Sequence, residues 1–335
     1  MKKGGYISVL VLFIMIIVFV SAMYINYLLQ LQRLIEVSNQ ESIQSYYFAE
    51  AALNRVMYDE VNYEKHIKPA IINHLMFQTG HYKNFNITLD STIDENDTNK
   101  LIAGRFYMDN YRKCMELTTE SNYKGIKTNI EVSGPIIRDI FELSNLPLIS
   151  YDLDLNTCEE LEKYYQELVD DISFDNLPSE IDGLNIFNYN KIILKNHNST
   201  LLKVVKVRNG LENIEVIKKQ VFLNIRNDVH NSITTLEIND PLTLNGIIFL
   251  EGDLIINANF NFNGILILKG TDSKIIVNDE VDKPKIRGII ITEGETEFIN
   301  KVDLKYDSGY IYKYGINLPG FIHPQLGVTK LNKGG

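Results

Sequence analysis

The residues best suited to chemistry lie in a glycine-punctuated stretch late in the chain. Asp253, Asp272, Glu293, Glu295 and Glu297 supply carboxylates, and glycoside cleavage requires two of these flanking the scissile bond at a fixed separation. Their spacing fixes no such pair, and acids on solvent-facing turns are the ordinary alternative. His66, His74 and His81 stand 8 and 7 residues apart, which does not suit zinc ligation at i, i+4 on one helix face. Asp94-Glu95-Asn96-Asp97 gathers oxygens that suit a hard cation such as calcium, but without EF-hand spacing, and a solvated loop is the plainer reading. No P-loop, dinucleotide fingerprint, nucleophile elbow or paired CxxC occurs. Cys114 and Cys158 are the two cysteines, 44 residues apart. In an oxidising exterior they form one disulfide or remain two separate, partly buried thiols, and spacing alone does not choose. The chain reads as nonenzymatic, with no cofactor and no metal site.

The elements that carry the acids form a repeat. Asn245-Gly-Ile-Ile-Phe-Leu-Glu-Gly252 recurs at residues 263–270 and again at 287–294, with offsets of 18 and then 24 residues. Each copy reads as a four-residue strand between glycines, which supply the positive φ of a sharp corner. Repeats of this length are typical of coils in a β-solenoid, where each rung buries its face against its neighbours. A flat β-meander is the other arrangement. Leu254 to Ile256 and Lys274 to Val277 are expected as second-side strands, and Asp279 to Lys285 as a surface loop. Phe260 and Phe262 alternate with asparagines, so both rings belong on one side of a strand. Lys191–Leu194, Leu201–Val207 and Val221–Ile225 are expected to begin the same stack, and Tyr310 to Phe321 to cover its open end.

The other end of the chain is apolar. No charged side chain occurs between Lys3 and Arg33, and a run of ~20 apolar residues is long enough for a helix to cross the ~30 Å core of a bilayer. Lys2 and Lys3 precede the run, which predicts a cytoplasmic N-terminus and the bulk of the chain outside. Three readings are open: a permanent anchor, a secretory signal cut after Val20-Ser21-Ala22, and a leader cut after Gly5. There is no proline before Pro69 and no glycine between Gly5 and Gly80, so one helix is free to run far past the membrane. Ala49, Ala52, Leu53, Val56 and Met57 recur at helical spacing, and Ser38 with Glu41 reads as a capping box restarting the helix after a bend.

Lys2-Lys3-Gly4-Gly5 followed directly by the apolar run resembles the leader of type IV pilins and pseudopilins. Tyr47-Phe-Ala-Glu-Ala-Ala-Leu53 is similar to a segment of the PilX-like minor pilins, so the resemblance covers roughly residues 1 to 60. It implies processing at Gly4, Gly5 and Tyr6, with a prepilin peptidase cutting after Gly5 and Tyr6 becoming the mature N-terminus. Leu10, Phe13 and Ile17 would then pack among the helices of other pilin subunits, and the pilus assembly platform would be a further partner. Major pilins usually carry glutamate at the fifth residue after the cut, where this chain has Leu10. That departure points to a minor subunit at a tip or initiation position, or to a chain that never enters a filament.

The fold expected is α+β: a long N-terminal transmembrane and amphipathic helix, a pilin-like antiparallel sheet, and a β-solenoid-like repeat region. The boundaries expected are a leader 1–5, the helix 6–66 with its membrane span about 6–25, and a β domain 67–134. A connector 135–182 follows, then a β-rich domain 183–335. The β domain should hold strands over 84–90, 101–108, 111–118 and 124–132. The connector should hold one helix that opens on a capping box at Thr157 and Glu160 and buries Leu161, Tyr164, Tyr165, Leu168 and Ile172. The net charge of −10 and the lack of a long basic run argue against nucleic acid as a partner. The rival readings are a membrane-anchored β-solenoid that binds cell-wall polymer without a filament role, and a surface glycan-active enzyme.

Overall fold

The computed structural model describes residues 4–77, 83–89, 101–143, 147–149, 155–227, 234–294 and 297–333. It is a mixed α+β protein with one long apolar N-terminal helix and large β-sheets.

Helix α1 (Gly4–Tyr58) runs unbroken for 55 residues, since nothing after Gly5 interrupts its hydrogen-bond ladder. Ser38 and Glu41 therefore lie mid-helix and restart nothing, which corrects the expected bend there. The break falls at Asp59, whose carboxylate accepts from Val61 N at 3.3 Å and caps the short helix α2 (Glu60–Asn62). A π-helical turn (Tyr63–Ile67) leads into α3 (Lys68–Phe77). The helix was expected to end at residue 66; helical structure instead continues through Pro69 to Phe77.

The antiparallel meander consists of β1 (Asn84–Thr88), β2 (Leu101–Asp109), β3 (Arg112–Tyr123) and β4 (Ile126–Pro135), paired in that order. The last third of α1 lies across β3 and β4 and buries Ala49, Ala52, Leu53 and Val56, with Met57 packed at the edge. Small alanines on this face let the helix approach the sheet closely. Ser45, also buried, accompanies them and donates to the Ile126 carbonyl at 3.1 Å. A fifth strand, Gly327–Lys333, pairs antiparallel with β4, although the whole repeat region lies between them in sequence.

After β4 come a 3₁₀ turn (Asp139–Phe141), β5 (Leu148–Ile149) and α4 (Leu155–Asp171). Helix α4 begins two residues before Thr157, so Thr157 is not its cap; of the expected stripe, Leu161, Tyr164, Tyr165 and Leu168 are buried, while Ile172 lies just past the helix and is partly buried.

The repeat region is a stack of mostly parallel strands: β6 (Asp182–Phe187), β7 (Lys191–Asn196), β8 (Leu201–Arg208), β9 (Leu211–Lys218), β10 (Gln220–Arg226) and β11 (Thr234–Ile238). These are followed by β12 (Leu242–Ile256), β13 (Phe260–Lys269), β14 (Ile275–Val277), β15 (Lys285–Thr292) and β16 (Asp303–Tyr306). One ladder runs β6-β10-β12-β13-β15-β16, every pairing parallel. A second joins β7, β11, the end of β12 and β14, also in parallel. The three sequence copies lie side by side in register, with Gly246 opposite Gly264 and Gly264 opposite Gly288.

These strands are longer than the four residues expected. β12 continues for 15 residues, pairing in one ladder before Gly252 and in the other from it. Among the earlier strands, β7 and β10 join the ladders, whereas β8 and β9 fold back as an antiparallel hairpin on β7.

Each repeat reads as a continuous apolar run because it is buried on both faces. Leu244, Ile248, Leu250, Phe262, Leu266 and Ile290 fill the space between the two ladders. The alternate residues Ile247, Phe249, Ile265, Ile267, Ile289 and Ile291 join the core that contains α4, the antiparallel sheet and α5 (Ser308–Gly315). Tyr310 to Phe321 was expected at the open end of the stack. It lies instead on this outer face, because Ile311, Tyr314, Leu318 and Phe321 need the apolar alternation that the repeats present there. Following α5, β17 (Gly327–Lys333) is the strand that completes the first sheet.

Candidate functional site: the apolar helix and the junction of the two sheets

From Ile7 to Gln40 every residue of α1 is exposed, and the body begins to cover the helix only at Glu41. At 1.5 Å per residue this segment projects roughly 50 Å. Leu10, Phe13 and Ile17, spaced to share a face, are 51%, 64% and 51% exposed. Fully burying one such side chain is worth about 1.5–3 kcal/mol, so the projecting segment forfeits tens of kcal/mol in water. A bilayer removes that penalty, and the segment is long and apolar enough to cross one. Gly4, Gly5 and Tyr6 lie in the first turn of α1; Met1 to Lys3 lie outside the described residues.

Among the described residues, the acids singled out above do not gather into one group. Asp253 Oδ1 accepts from Lys274 N at 3.0 Å, tying one ladder strand to the next. Glu293 is partly buried and accepts from Gly270 N at 2.8 Å; burial pushes its carboxyl up. Asp272 and Glu297 are exposed, and Glu295 lies outside the described residues. Glu251 and Lys269, neighbours across the β12–β13 register, form an ion pair at 3.3 Å. The histidines are equally dispersed: His74 stacks on Phe106 with ring centroids 4.4 Å apart, His66 sits on the π-helical turn, and His81 is outside the described residues. Among the described residues no group of three or more His, Cys, Asp or Glu side chains is placed to hold a metal ion. The acidic turn at Asp94 to Asp97 lies outside them. Cys114, buried in β3, and Cys158, on α4, are free thiols, and burial raises the Cys114 thiol.

One charged cluster escaped the sequence reading because it falls in the segment taken as a connector. Glu142 follows the 3₁₀ turn and accepts from Lys113 N at 2.8 Å and from the Tyr312 hydroxyl at 3.4 Å. Its second oxygen, Oε2, is buried without a hydrogen-bond partner. Burial pushes this carboxyl up to about 7 against the hydrogen bonds, which lower it. Beside it Arg112 pairs with Asp139 at 2.9 Å, and the Lys113 ammonium sits 5.6 Å from the Tyr312 ring centroid. Three elements distant in sequence (β3, the 3₁₀ turn and α5) meet here, and no local pattern announces such a meeting.

No protein family, curated protein or solved structure matches the chain.

Proposed function

We propose that the chain is a minor pilin or pseudopilin subunit of a type IV pilus-like filament, at a tip or initiation position. The observation that carries this reading is the form of α1. One unbroken helix opens at Gly4-Gly5, projects as an exposed apolar rod, and packs its last third onto an antiparallel sheet. A rod of that kind has two environments available, the bilayer and a bundle of like helices, and transfer between them exchanges one apolar surround for another. In this reading the body lies outside the cytoplasm. Prepilin peptidase, sister pilins and the assembly platform are the partners, and the chain carries out no catalysis. The body is displayed for adhesion or for control of assembly. The repeat region is read as a β-solenoid, supported by its two parallel ladders and by the register of its glycines.

The test is the N-terminal mass of the chain produced with and without a prepilin peptidase. A mature chain beginning at Tyr6, absent when Gly5 is replaced by a bulky residue, is the result expected. An N-terminus at Met23 would sink filament assembly through this helix. An intact leader in cells that process a known pilin would leave the rival reading, a membrane-anchored solenoid that binds cell-wall polymer.

A further inference from the structure

Where the antiparallel sheet meets β16 and α5, a cleft of about 650 Å³ opens beside the β2–β3 turn. That turn contains an anomaly. Asn110 and Tyr111 both have positive φ, +45° and +71°. Two central residues of this kind make the tight hairpin turn in which glycine normally takes the second place. A left-handed tyrosine costs roughly 1–2 kcal/mol, and Tyr111 recovers nothing from the core because it is 90% exposed. A large aromatic held in an unfavourable backbone conformation, touching no core, and standing at the mouth of a cleft points to a ligand.

The chemistry of the cleft narrows what that ligand is. Its charges alternate and balance: Arg112 faces Asp139, and the Lys113 ammonium lies over Tyr312, whose hydroxyl donates to Glu142. Above about pH 7, where Glu142 is ionised, an ion of either sign would meet its own sign as often as its opposite. A neutral polyol would not, since each hydroxyl both donates and accepts. Tyr111, Met108 and Tyr312 add apolar surface. The lining mixes aromatic and aliphatic side chains with charged ones, and polar groups so placed fix the orientation of a small ligand.

We propose that this cleft binds a neutral saccharide, with the Tyr111 ring against the apolar face of a sugar and Arg112 and Asp139 engaging its hydroxyls. The site does not rest on cleavage after Gly5 or on filament assembly, and it would serve a filament subunit and a plainly anchored protein alike.

The experiment uses the full chain in a zwitterionic, sugar-free detergent. It is screened on a panel of neutral hexose and N-acetylhexosamine oligosaccharides, and the strongest binder is titrated by calorimetry. Spermidine serves as the cationic control. Saturable binding to a neutral oligosaccharide is expected, weakened about tenfold or more by both Tyr111→Gly and Asp139→Asn. Tyr111→Gly should also melt no lower than the parent, because glycine suits the turn; stability kept while binding falls separates recognition from folding. Absence of saturable binding across the panel up to roughly 10 mM, a range covering even weak sites, would overturn the proposal. So would binding of spermidine alone, or a Tyr111→Gly chain that binds as well as the parent.

Discussion

Arg138 donates through Nη2 to the Glu167 carboxylate at 2.6 Å, joining the segment after β4 to helix α4. The two partners are unequally buried, the arginine side chain 5% exposed and the glutamate 42%. The guanidinium also lies 4.7 Å from the Tyr164 ring centroid and donates through Nε to the Gly320 carbonyl at 3.2 Å. Glu167→Ala therefore strands a buried cation and is expected to cost about 2–3 kcal/mol. Replacing both residues, Arg138→Met with Glu167→Ala, should cost less than Glu167→Ala alone. Denaturant midpoints of the two single variants and the double variant decide this.

The column Gly246–Gly264–Gly288 sets a second expectation. A Cβ on Gly264 would stand 1.8 Å from the Gly246 carbonyl oxygen, at a φ of +150°. Neither backbone can yield without breaking the parallel ladder. Gly264→Ala should cost more than about 4 kcal/mol or prevent folding. Gly210, in the β8–β9 turn at φ +79°, has nothing within 4 Å of such a Cβ. Gly210→Ala should cost only about 1–2 kcal/mol, the left-handed penalty alone. Expression level and thermal melting of the pair are the readout.

Glu142 makes stability depend on pH. Its carboxyl is raised from 4.5 to about 7, so in that window the folded protein keeps a proton that the unfolded chain has released. Stability from this group is complete below pH 4.5 and is lost as pH rises through about 7. Burial is the main cause, Asp139 adds to it, and Arg112 opposes it. Glu142→Gln should match the parent at pH 4.5 and melt higher at pH 8, by on the order of 1 kcal/mol after discounting solvent screening. Melting curves of both chains across this range test the sign as well as the size.

A charge placed in the projecting rod probes its environment. Ile17→Arg, near the middle of the apolar run, should disfavour membrane insertion by about 2.5–3.5 kcal/mol. Val37→Arg, nearer the body in a stretch that already carries Arg33 and Glu36, should leave insertion unchanged. Carbonate extraction of membranes reads both.

Residues that interact locally were legible in the sequence. The apolar run and its alanine-rich continuation gave α1 and the face it buries, and the glycines of the repeats gave their register. Phe260 and Phe262 lie on one side of β13, as their alternation requires, with ring centroids 6.2 Å apart. Residues whose partners are distant were not legible. Nothing in Tyr310 to Phe321 distinguishes covering the face of a stack from covering its end, since both demand the same apolar stripe. Val328 and Leu331 carry no mark of pairing with β4. Glu142 looked like any acid in a connector, because its burial comes from Lys113 and Tyr312, which belong to other elements.

The return of β17 to β4 has a consequence for how the chain must be made. A polypeptide made from its N-terminus delivers α1 and β1 to β4 early, yet the β4 edge waits until the whole parallel stack has been made. The stack needs no such delay, because each rung pairs mainly with the one before it. The repeats can therefore assemble strand by strand as they are made, while the antiparallel sheet is completed last.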